Sequence, residues 1–460
     1  MAINTKVQAD HHAPPITRML AEFAIGHPSQ GWDAAVEDQA HRTLANWLGC
    51  AIGACSHDSV QAALAATRVL EPAPQAALMG RTERVDMANA ALINGISSHT
   101  FDYDDTHLKT IIHPAGPIAS ALLPLAERLG STGRAFIDAL VIGMEVSCRV
   151  GNCIYPHHYD RGWHITGTTG MLGAAAACSR LLGLSVDQAQ MALGIAASQP
   201  VGLREQFGSM TKPFHPGAAA KNGLMSALLA QKGFTASKRA LEAPRGLLQA
   251  ISDKHDWSEI TEGLGARWEA ALNTYKPFAC GIVIHPSIDG CVQLRNAHQL
   301  QAEEIASVTL KVHSLVLELT GKKTPQLGLE GKFSVYHSCA AGLIYGRAGE
   351  HEYTDACVQD PRVIRLRDQV TALVDDRISE ASADVTIQTT DGRTLHVFVE
   401  HAIGSLERPM THDQLKAKFV DQAAAEIGEQ KSEEAWTAAM SLAQAHNLQA
   451  LLAAATRSGP

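Results

Sequence analysis

The sequence predicts a mainly α-helical protein with an α+β part, in which a smaller α+β lid domain interrupts a large all-helical domain. Apolar residues recur at helical spacing from residue 16 to about 265, alternate with polar residues after about 270, and return to helical spacing after Thr411. We therefore predict three parts, namely a disordered tail (1–15), a helical domain (16–267 plus 403–460) and an α+β domain (268–402).

The helical part is predicted from apolar residues spaced three or four positions apart, as in Ala88, Leu92 and Ile96. His99 falls on the same face. The same period predicts helices at 117–129, 137–144, 168–182, 187–198 and 218–232, and a single terminal helix at 432–456. Gly and Pro residues at 116–117, 183 and 216–217 punctuate these segments.

The α+β part is predicted from strict alternation. Val308, Leu310 and Val312 alternate with polar residues, which indicates a β-strand. Two further alternating runs, 385–389 and 395–399, flank Asp391-Gly392, a pair that favours the positive φ of a tight hairpin turn. Thr411 and Gln414 then predict a capping box where the helical pattern resumes.

Composition excludes several classes of protein. No apolar run approaches the roughly 20 residues of a membrane span, and no signal-peptide pattern opens the chain. A net charge of −9 argues against a nucleic-acid surface. The nine cysteines form no C-x-x-C pair, so we expect buried free thiols, no structural zinc and a cytoplasmic location.

Three polar clusters interrupt the apolar helical stretches. The densest contains Asp102, Asp104, Asp105, Thr106 and His113. Burying carboxylates costs free energy unless they are paired, so a functional site explains this cluster better than a core, with a solvated loop as the alternative. The other two, 161–164 and 210–217, precede small-residue runs, and such helix N-termini suit anions, although capping turns have the same pattern.

Together with three further segments, these clusters resemble the MmgE/PrpD family, which includes 2-methylcitrate dehydratases, cis-aconitate decarboxylases and iminodisuccinate epimerases. The segments that carry the resemblance are 99–106, 113–114, 162–164, 211–215, 275–277, 285–289 and 332–334. The resemblance implies a homodimer and an active site that uses neither metal nor organic cofactor. It also implies catalytic positions at Asp102, Thr106, His113, His164, Lys212 and Lys276.

The residue types fit proton removal next to a carboxylate. His164 is the first candidate for the acid or base and His113 the second, because imidazole titrates near neutral pH. A capping or core histidine is the alternative for each. Asp102 could orient a histidine or act as a base after desolvation.

The remaining candidates divide into cations and accessory residues. Lys212 and Lys276 suit substrate carboxylates, with a surface lysine as the alternative for Lys276. Either Asp104 or Asp105 could simply cap the next turn. His215 is treated as an accessory residue without an assigned role. We expect the catalytic and binding residues to converge on one cleft between the two domains.

The predicted function is elimination of water from a small di- or tricarboxylate, with an iminodisuccinate epimerase-like isomerase as the alternative. No nucleic-acid or membrane partner is expected. Decarboxylases of this kind carry a histidine five residues after the second lysine, where this chain has Gly281, so decarboxylation is less favoured. Gly281 could instead serve a turn with positive φ.

Two other classes of function are weighed against this one. The acidic D-x-D-D pattern is also typical of magnesium–diphosphate sites, but no second acidic motif accompanies it. A non-catalytic scaffold would leave the Asp, His and Lys clusters dispersed over the fold.

Overall fold

The computed structural model describes residues 13–28 and 32–457. It divides into unit 1 (Met1–Thr100, Asp104–Asn273 and Lys416–Pro460) and unit 2 (Phe101–Tyr103 and Thr274–Leu415). The predicted class, mainly α with an α+β part, is confirmed. The predicted domain limits stay a prediction, and residues 1–12 of the predicted tail lie outside the described residues.

Up to Asn273 the described part of the chain is mainly helical, with short strands between helices. The helices are α1 (Ile16–Gly26), α2 (Ala34–Gly53), α3 (Asp58–Arg68), α4 (Met87–Thr100), α5 (Ala115–Leu129), α6 (Gly133–Ile154), α7 (His157–Asp160), α8 (Ile165–Leu181), α9 (Val186–Ala196), α10 (Thr211–Gln231), α11 (Leu247–Ile251) and α12 (Ser258–Thr261). The strands are β1 (Ala76–Ala77), β2 (Arg84–Val85), β3 (Asp105–His107) and β4 (Asn273–Tyr275).

The core of unit 1 forms where α4, α5, α6, α8 and α10 pack against one another. Small residues permit this packing. A Cβ atom added to Gly95 on α4 would stand 2.5 Å from the Cα atom of Gly217 on α10. The two helix backbones therefore touch at these glycines, which fixes the C-terminal half of α4 against the first turns of α10.

Unit 2 combines a four-stranded sheet with short helices. They are α13 (His285–His298), α14 (Ser314–Thr320), α15 (Gly328–Gly331), α16 (Val335–Tyr345), α17 (Asp355–Val358) and α18 (Pro361–Arg367), with β5 (Ile305–Val312), β6 (Val370–Val374), β7 (Ala383–Thr389) and β8 (Thr394–Val399). The strand order is β6-β5-β7-β8, parallel between β5 and β6 and antiparallel elsewhere.

Several local predictions are confirmed. The alternating run at 308–312 lies in β5, and β7 and β8 form the predicted hairpin with Gly392 at φ 91°. In the predicted capping box, the Gln414 side chain accepts from Thr411 N at 2.8 Å and Thr411 Oγ1 accepts from Gln414 N at 3.2 Å. The box begins α19 (His412–Ile427), which α20 (Glu429–Met440) and α21 (Gln449–Ala455) follow.

Three local predictions are wrong. Pro216 and Gly217 do not punctuate a helix, because packing of α10 against α4, α5 and α8 carries the helix through them. The segment 432–456 is not one helix, since Ala445 leaves helical geometry to accept a hydrogen bond from Gly133 N at 2.9 Å. Gly281 has φ −57°, so no turn with positive φ explains this glycine.

Two predictions from composition can be compared with the described residues. None of the helices described there combines the length with the apolar character that a membrane crossing needs. All nine cysteines are free thiols, and eight of them are buried, with Cys357 half-buried.

Candidate active site

Three buried histidines from separate elements meet in unit 1. His99 lies in the last turn of α4, His113 precedes α5 in the chain, and His164 occupies the N-cap position of α8. Their ring centroids are 4.9 Å apart for His99 and His113, 5.6 Å for His99 and His164, and 6.4 Å for His113 and His164. We call this group the histidine cluster.

Asp104 determines the protonation pattern of His99. Its Oδ2 atom lies 2.6 Å from His99 Nδ1, and both side chains are fully buried. An ionised carboxylate only accepts hydrogen bonds, so Nδ1 of His99 carries the proton. The Nε2 atom of His99 is buried and has no hydrogen-bond partner among the described residues. It therefore presents a lone pair to the cluster.

His113 is oriented in the same way by a backbone carbonyl. Its Nδ1 atom lies 2.6 Å from the Asp105 carbonyl oxygen and 3.3 Å from Thr106 Oγ1. A carbonyl only accepts, so Nδ1 of His113 carries the proton of this hydrogen bond. Asp104 Oδ1, 3.7 Å from His113 Nδ1, can stabilise positive charge on this ring as well.

Asp105 has the capping role that the sequence left open between two aspartates. Its Oδ2 atom accepts from Ala115 N, the first residue of α5, at 3.1 Å and from Asn273 Nδ2 at 2.7 Å. Burial, and then the nearby Asp104 carboxylate, raise the pKa of Asp105 to about 7. Asp105 thus holds the start of α5, and with it His113, in place.

His164 is paired with a second imidazole. Its Nδ1 atom lies 2.9 Å from Nδ1 of His215, and the side chain makes no capping hydrogen bond to α8. Burial lowers the pKa of His164 well below its usual range, and His99 and Lys212 lower it further. Burial lowers the pKa of His215 to about 4, with His99 and Lys212 as smaller causes. Both rings are therefore neutral near pH 7, one donating and one accepting.

Lys212 lies on the same side of unit 1 as the histidine cluster. It is the second residue of α10, where the first N–H groups of the helix have no intrahelical acceptor. Its Nζ atom is 5.3 Å from the centre of the Phe207 ring, and that ring packs edge-on against His164 at 5.1 Å. The ammonium and the positive end of the α10 dipole suit a carboxylate, while the N–H groups of Thr211 and Lys212 themselves donate to Ser209.

Asp102 and Lys276 form a buried ion pair in unit 2. Lys276 Nζ donates to Asp102 Oδ1 at 2.8 Å and to the Asp102 carbonyl at 2.9 Å. Asp102 has φ 52°, a left-handed conformation that Asp tolerates better than most residues. Lys332, also buried, donates to the carbonyls of Phe101 and Ala279 at 2.7 and 2.8 Å and so ties together the two segments that carry the pair.

The six residues that the sequence singled out thus fall into two groups. Unit 1 contains Thr106, His113, His164 and Lys212, and unit 2 contains Asp102 and Lys276. Their convergence on one cleft, and the role of each, stay predictions. Sequence reasoning assigned no catalytic role to His99 or Asp104. Both residues lie in the segment 99–106, and its resemblance to the family was one available signal of a functional role. Helical spacing on α4, however, made His99 look like a core residue.

A further buried histidine gives a pH-dependent prediction for stability. Burial lowers the pKa of His158 to about 3, and its Nε2 atom lies 2.9 Å from Thr168 Oγ1. Below about pH 6.5 the unfolded chain protonates this histidine while the folded protein does not. Stability therefore falls as pH drops below about 6.5, by up to about 1.4 kcal/mol per pH unit for each such proton.

We expect the thermal midpoint of the wild-type protein to fall more steeply than that of His158→Gln between about pH 6 and pH 4.5. Glutamine keeps a hydrogen-bonding side chain for Thr168 but cannot take up the proton. Scanning calorimetry on both proteins measures the two slopes. Parallel slopes would show that His158 takes up its proton equally in the folded and unfolded chains.

Two family models together match most of this chain. The family model described as the MmgE/PrpD N-terminal domain matches residues 18–260, and that of the MmgE/PrpD C-terminal domain matches residues 278–444. A cis-aconitate decarboxylase-like protein of Aspergillus oryzae is 26% identical over 448 residues, covering 91% of this chain and 93% of its own.

Two further relatives are named for different activities. The cis-aconitate decarboxylase of Homo sapiens is 26% identical over 353 residues, covering 73% of this chain and 72% of its own. The 2-methylcitrate dehydratase of Salmonella typhimurium is 22% identical over 400 residues, covering 81% of this chain and 82% of its own.

Proposed function

This chain belongs to the MmgE/PrpD family, and on that premise we propose that it is a hydro-lyase that removes water from a small di- or tricarboxylate. Both decarboxylases and dehydratases are lyases, so the enzyme class is common to the relatives. The reaction proposed here begins with removal of a proton from the carbon next to a carboxylate. It uses neither a metal nor an organic cofactor, as the family resemblance implies.

The observation that carries the proposal is the histidine cluster. His99 presents the lone pair of its buried Nε2 atom, and the His99 and His113 rings share the Asp104 carboxylate as counter-ion at 2.6 and 3.7 Å. Positioned imidazoles are the commonest general acids and bases. A proton accepted by one ring disfavours a second proton on its neighbours, so the cluster handles one proton at a time.

The proposed elimination balances as follows. A ring of the histidine cluster accepts the proton, and the C–H electrons form the carbon–carbon double bond as the C–O bond breaks. The departing hydroxide takes a proton back from the cluster and leaves as water. Asp104 stabilises the imidazolium between the two transfers, and Lys212, at the N-terminus of α10, binds a substrate carboxylate.

Decarboxylation of cis-aconitate is the second candidate. It is favoured by the relatives named as cis-aconitate decarboxylases, which are 26% identical to this chain, whereas the 2-methylcitrate dehydratase of Salmonella typhimurium is 22% identical. It is disfavoured by Gly281, since the resembling decarboxylases carry a histidine at the matching position. Epimerisation needs the same proton abstraction without loss of hydroxide, and the homodimer that the resemblance implies stays a prediction.

One experiment separates these reactions. The purified protein is incubated in D₂O with citrate, 2-methylcitrate, isocitrate, malate, iminodisuccinate or cis-aconitate, and the products are followed by proton NMR. Alkene signals from a hydroxy acid support dehydration. Deuterium uptake without net conversion indicates epimerisation, and itaconate from cis-aconitate indicates decarboxylation. No exchange with any of these carboxylates would contradict the proposal.

Gly281 offers a sharper test of the second candidate. Its φ of −57° suits any L-residue, and an added Cβ atom would stand 3.1 Å from Thr320 Cγ2, a methyl group that must shift slightly. We expect little itaconate from the wild-type protein and at least about 10-fold more from Gly281→His, because a positioned proton donor is commonly worth about 10²–10⁴-fold.

The matched control is Gly281→Ala, which adds the same Cβ atom without the imidazole. Itaconate is measured by chromatography after incubation with cis-aconitate. Wild-type turnover on the order of 1 s⁻¹ or faster would replace the dehydratase proposal with decarboxylation, because it is typical of a competent enzyme. Equal gains in Gly281→His and Gly281→Ala would rule out the imidazole as the cause.

A further inference from the structure

His215 is hydrogen-bonded to His164 through the Nδ1 atoms of both rings. These atoms lie 2.9 Å apart, and both side chains are buried. A neutral imidazole carries one proton, so one Nδ1 atom donates in this hydrogen bond and the other accepts. We propose that His215 is the donor and acts as a positioning residue, because it keeps the proton of His164 on Nε2.

The direction of this hydrogen bond follows from His99. The Nε2 atom of His99 carries a lone pair, is buried and has no hydrogen-bond partner among the described residues. One ring nitrogen of His99 and one of His164 lie within 4.8 Å of each other. In both rings Nδ1 is already hydrogen-bonded, which leaves Nε2 as the nitrogen available there.

The two tautomers of His164 differ in what they present to that lone pair. A proton on Nε2 of His164 meets the lone pair of His99 with the opposite partial charge. The other tautomer would bring two lone pairs together in buried surroundings, where like partial charges repel strongly. The tautomer with the proton on Nε2 is therefore favoured, and its Nδ1 atom can only accept from His215.

The loop before α10 fixes the two rings against each other. The Gly202 carbonyl accepts from His164 N at 3.0 Å. A Cβ atom added to Gly202 would stand 3.1 Å from His164 Cβ and 3.1 Å from His215 Nδ1, so the glycine backbone packs against both side chains. Gly202 has φ 110°, a conformation that glycine adopts readily. His215 is therefore held in one place relative to His164.

This tautomer gives the histidine cluster an accepting and a donating side. His99 Nε2 accepts the proton from the substrate carbon, with Asp104 as counter-ion, and the C–H electron pair forms the double bond as the C–O bond breaks. His164 donates a hydrogen bond from Nε2 to the departing hydroxyl oxygen and stabilises its developing negative charge. The hydroxide takes the proton that His99 accepted and leaves as water. These roles rest on the elimination proposed above, whereas the tautomer of His164 does not.

Nitrogen NMR of the resting protein tests the tautomer without turnover. The wild-type protein is labelled with ¹⁵N-histidine, and the signals of His164 and His215 are assigned by their loss in His164→Ala and His215→Asn. The nitrogen shift separates a protonated ring nitrogen from one with a lone pair. We expect a proton on Nε2 and a lone pair on Nδ1 of His164. A proton on Nδ1 of His164 would overturn the proposal, whatever reaction the protein catalyses.

Two nearly isosteric variants test the role of His215 in turnover. His215→Asn keeps an N–H donor close to the place of Nδ1, whereas the carboxylate of His215→Asp only accepts and would hold the His164 proton on Nδ1. We expect kcat to be about 10²-fold lower in His215→Asp than in His215→Asn, as removal of one positioned donor typically costs. The new charge also lies three residues from Lys212 on α10, so KM is expected to change as well, and kcat is the informative parameter.

The possible outcomes separate the positioning role from the reaction. Equal kcat values for folded His215→Asn and His215→Asp proteins would overturn the positioning role. A wild-type protein with the His164 proton on Nε2 that converts none of the carboxylates of the D₂O screen would support the tautomer and contradict the elimination. Circular dichroism checks the fold of both variants, and the NMR measurement on the wild-type protein keeps the test valid if either fails to fold.

Discussion

Replacement of His164 by alanine is expected to lower kcat by about 10²-fold or more while the fold stays intact. The variant removes one of the three imidazoles of the histidine cluster and also the ring that His215 faces at 2.9 Å. Because proton transfer enters the rate-limiting chemistry of an elimination, the loss is expected in kcat and kcat/KM together rather than in KM alone. Steady-state kinetics with the substrate found in the D₂O screen measure it.

A control separates chemistry from folding in this experiment. His41 is another buried histidine of unit 1, and its Nδ1 atom lies 2.9 Å from the Ala439 carbonyl, outside the cluster. His41→Ala removes comparable buried volume and is expected to change the thermal midpoint more than kcat. Near-normal turnover in a folded His164→Ala protein would show that the proton chemistry lies elsewhere.

Local signals in the sequence were sufficient for the elements that depend on neighbours in the chain. The hairpin of β7 and β8 follows from alternation and an Asp-Gly pair, and the capping box follows from Thr411 and Gln414. Both are determined within a few residues, so pattern reasoning reaches them. Helix α10 shows the limit, because packing against three other helices overrides the helix-breaking tendency of Pro216.

In the candidate site, too, some residues could be predicted from local sequence and others depend on the tertiary fold. His113 and His164 could be proposed from the sequence because polar clusters surround them. His99 was not proposed, since its position on α4 matches an apolar helical face, and only the tertiary fold shows that this face meets two other imidazoles. The sequence likewise left open which aspartate caps a helix. In the fold α5 begins where its Ala115 N–H can donate to Asp105. Asp104 is then the aspartate that pairs with His99.

Lys276 shows that a residue singled out in the sequence for substrate binding can also take part in an ion pair within the fold. The sequence suggested an ammonium that attracts substrate carboxylates, with a surface lysine as the alternative. In unit 2 its side chain is only 2% exposed and paired with Asp102, whose side chain is 7% exposed. The alternative of a surface lysine is therefore wrong, because the side chain is buried. The Asp102 carboxylate compensates the charge of its ammonium. Its contribution to the fold must be tested alongside its contribution to substrate binding.

Replacement of Lys276 by methionine is expected to destabilise unit 2 by about 3–5 kcal/mol, since removing one member of a buried ion pair leaves the other charge without that compensation. Methionine keeps the length of the side chain, so the effect reports on charge more than on packing. The double variant Lys276→Met with Asp102→Asn removes both charges and is expected to recover much of the loss. Thermal unfolding of the wild-type protein, both single variants and the double variant completes the cycle. If Lys276→Met unfolds at the wild-type midpoint, the ion pair makes no net contribution to stability. A rise in KM for that folded variant would then favour substrate binding as the only role of Lys276.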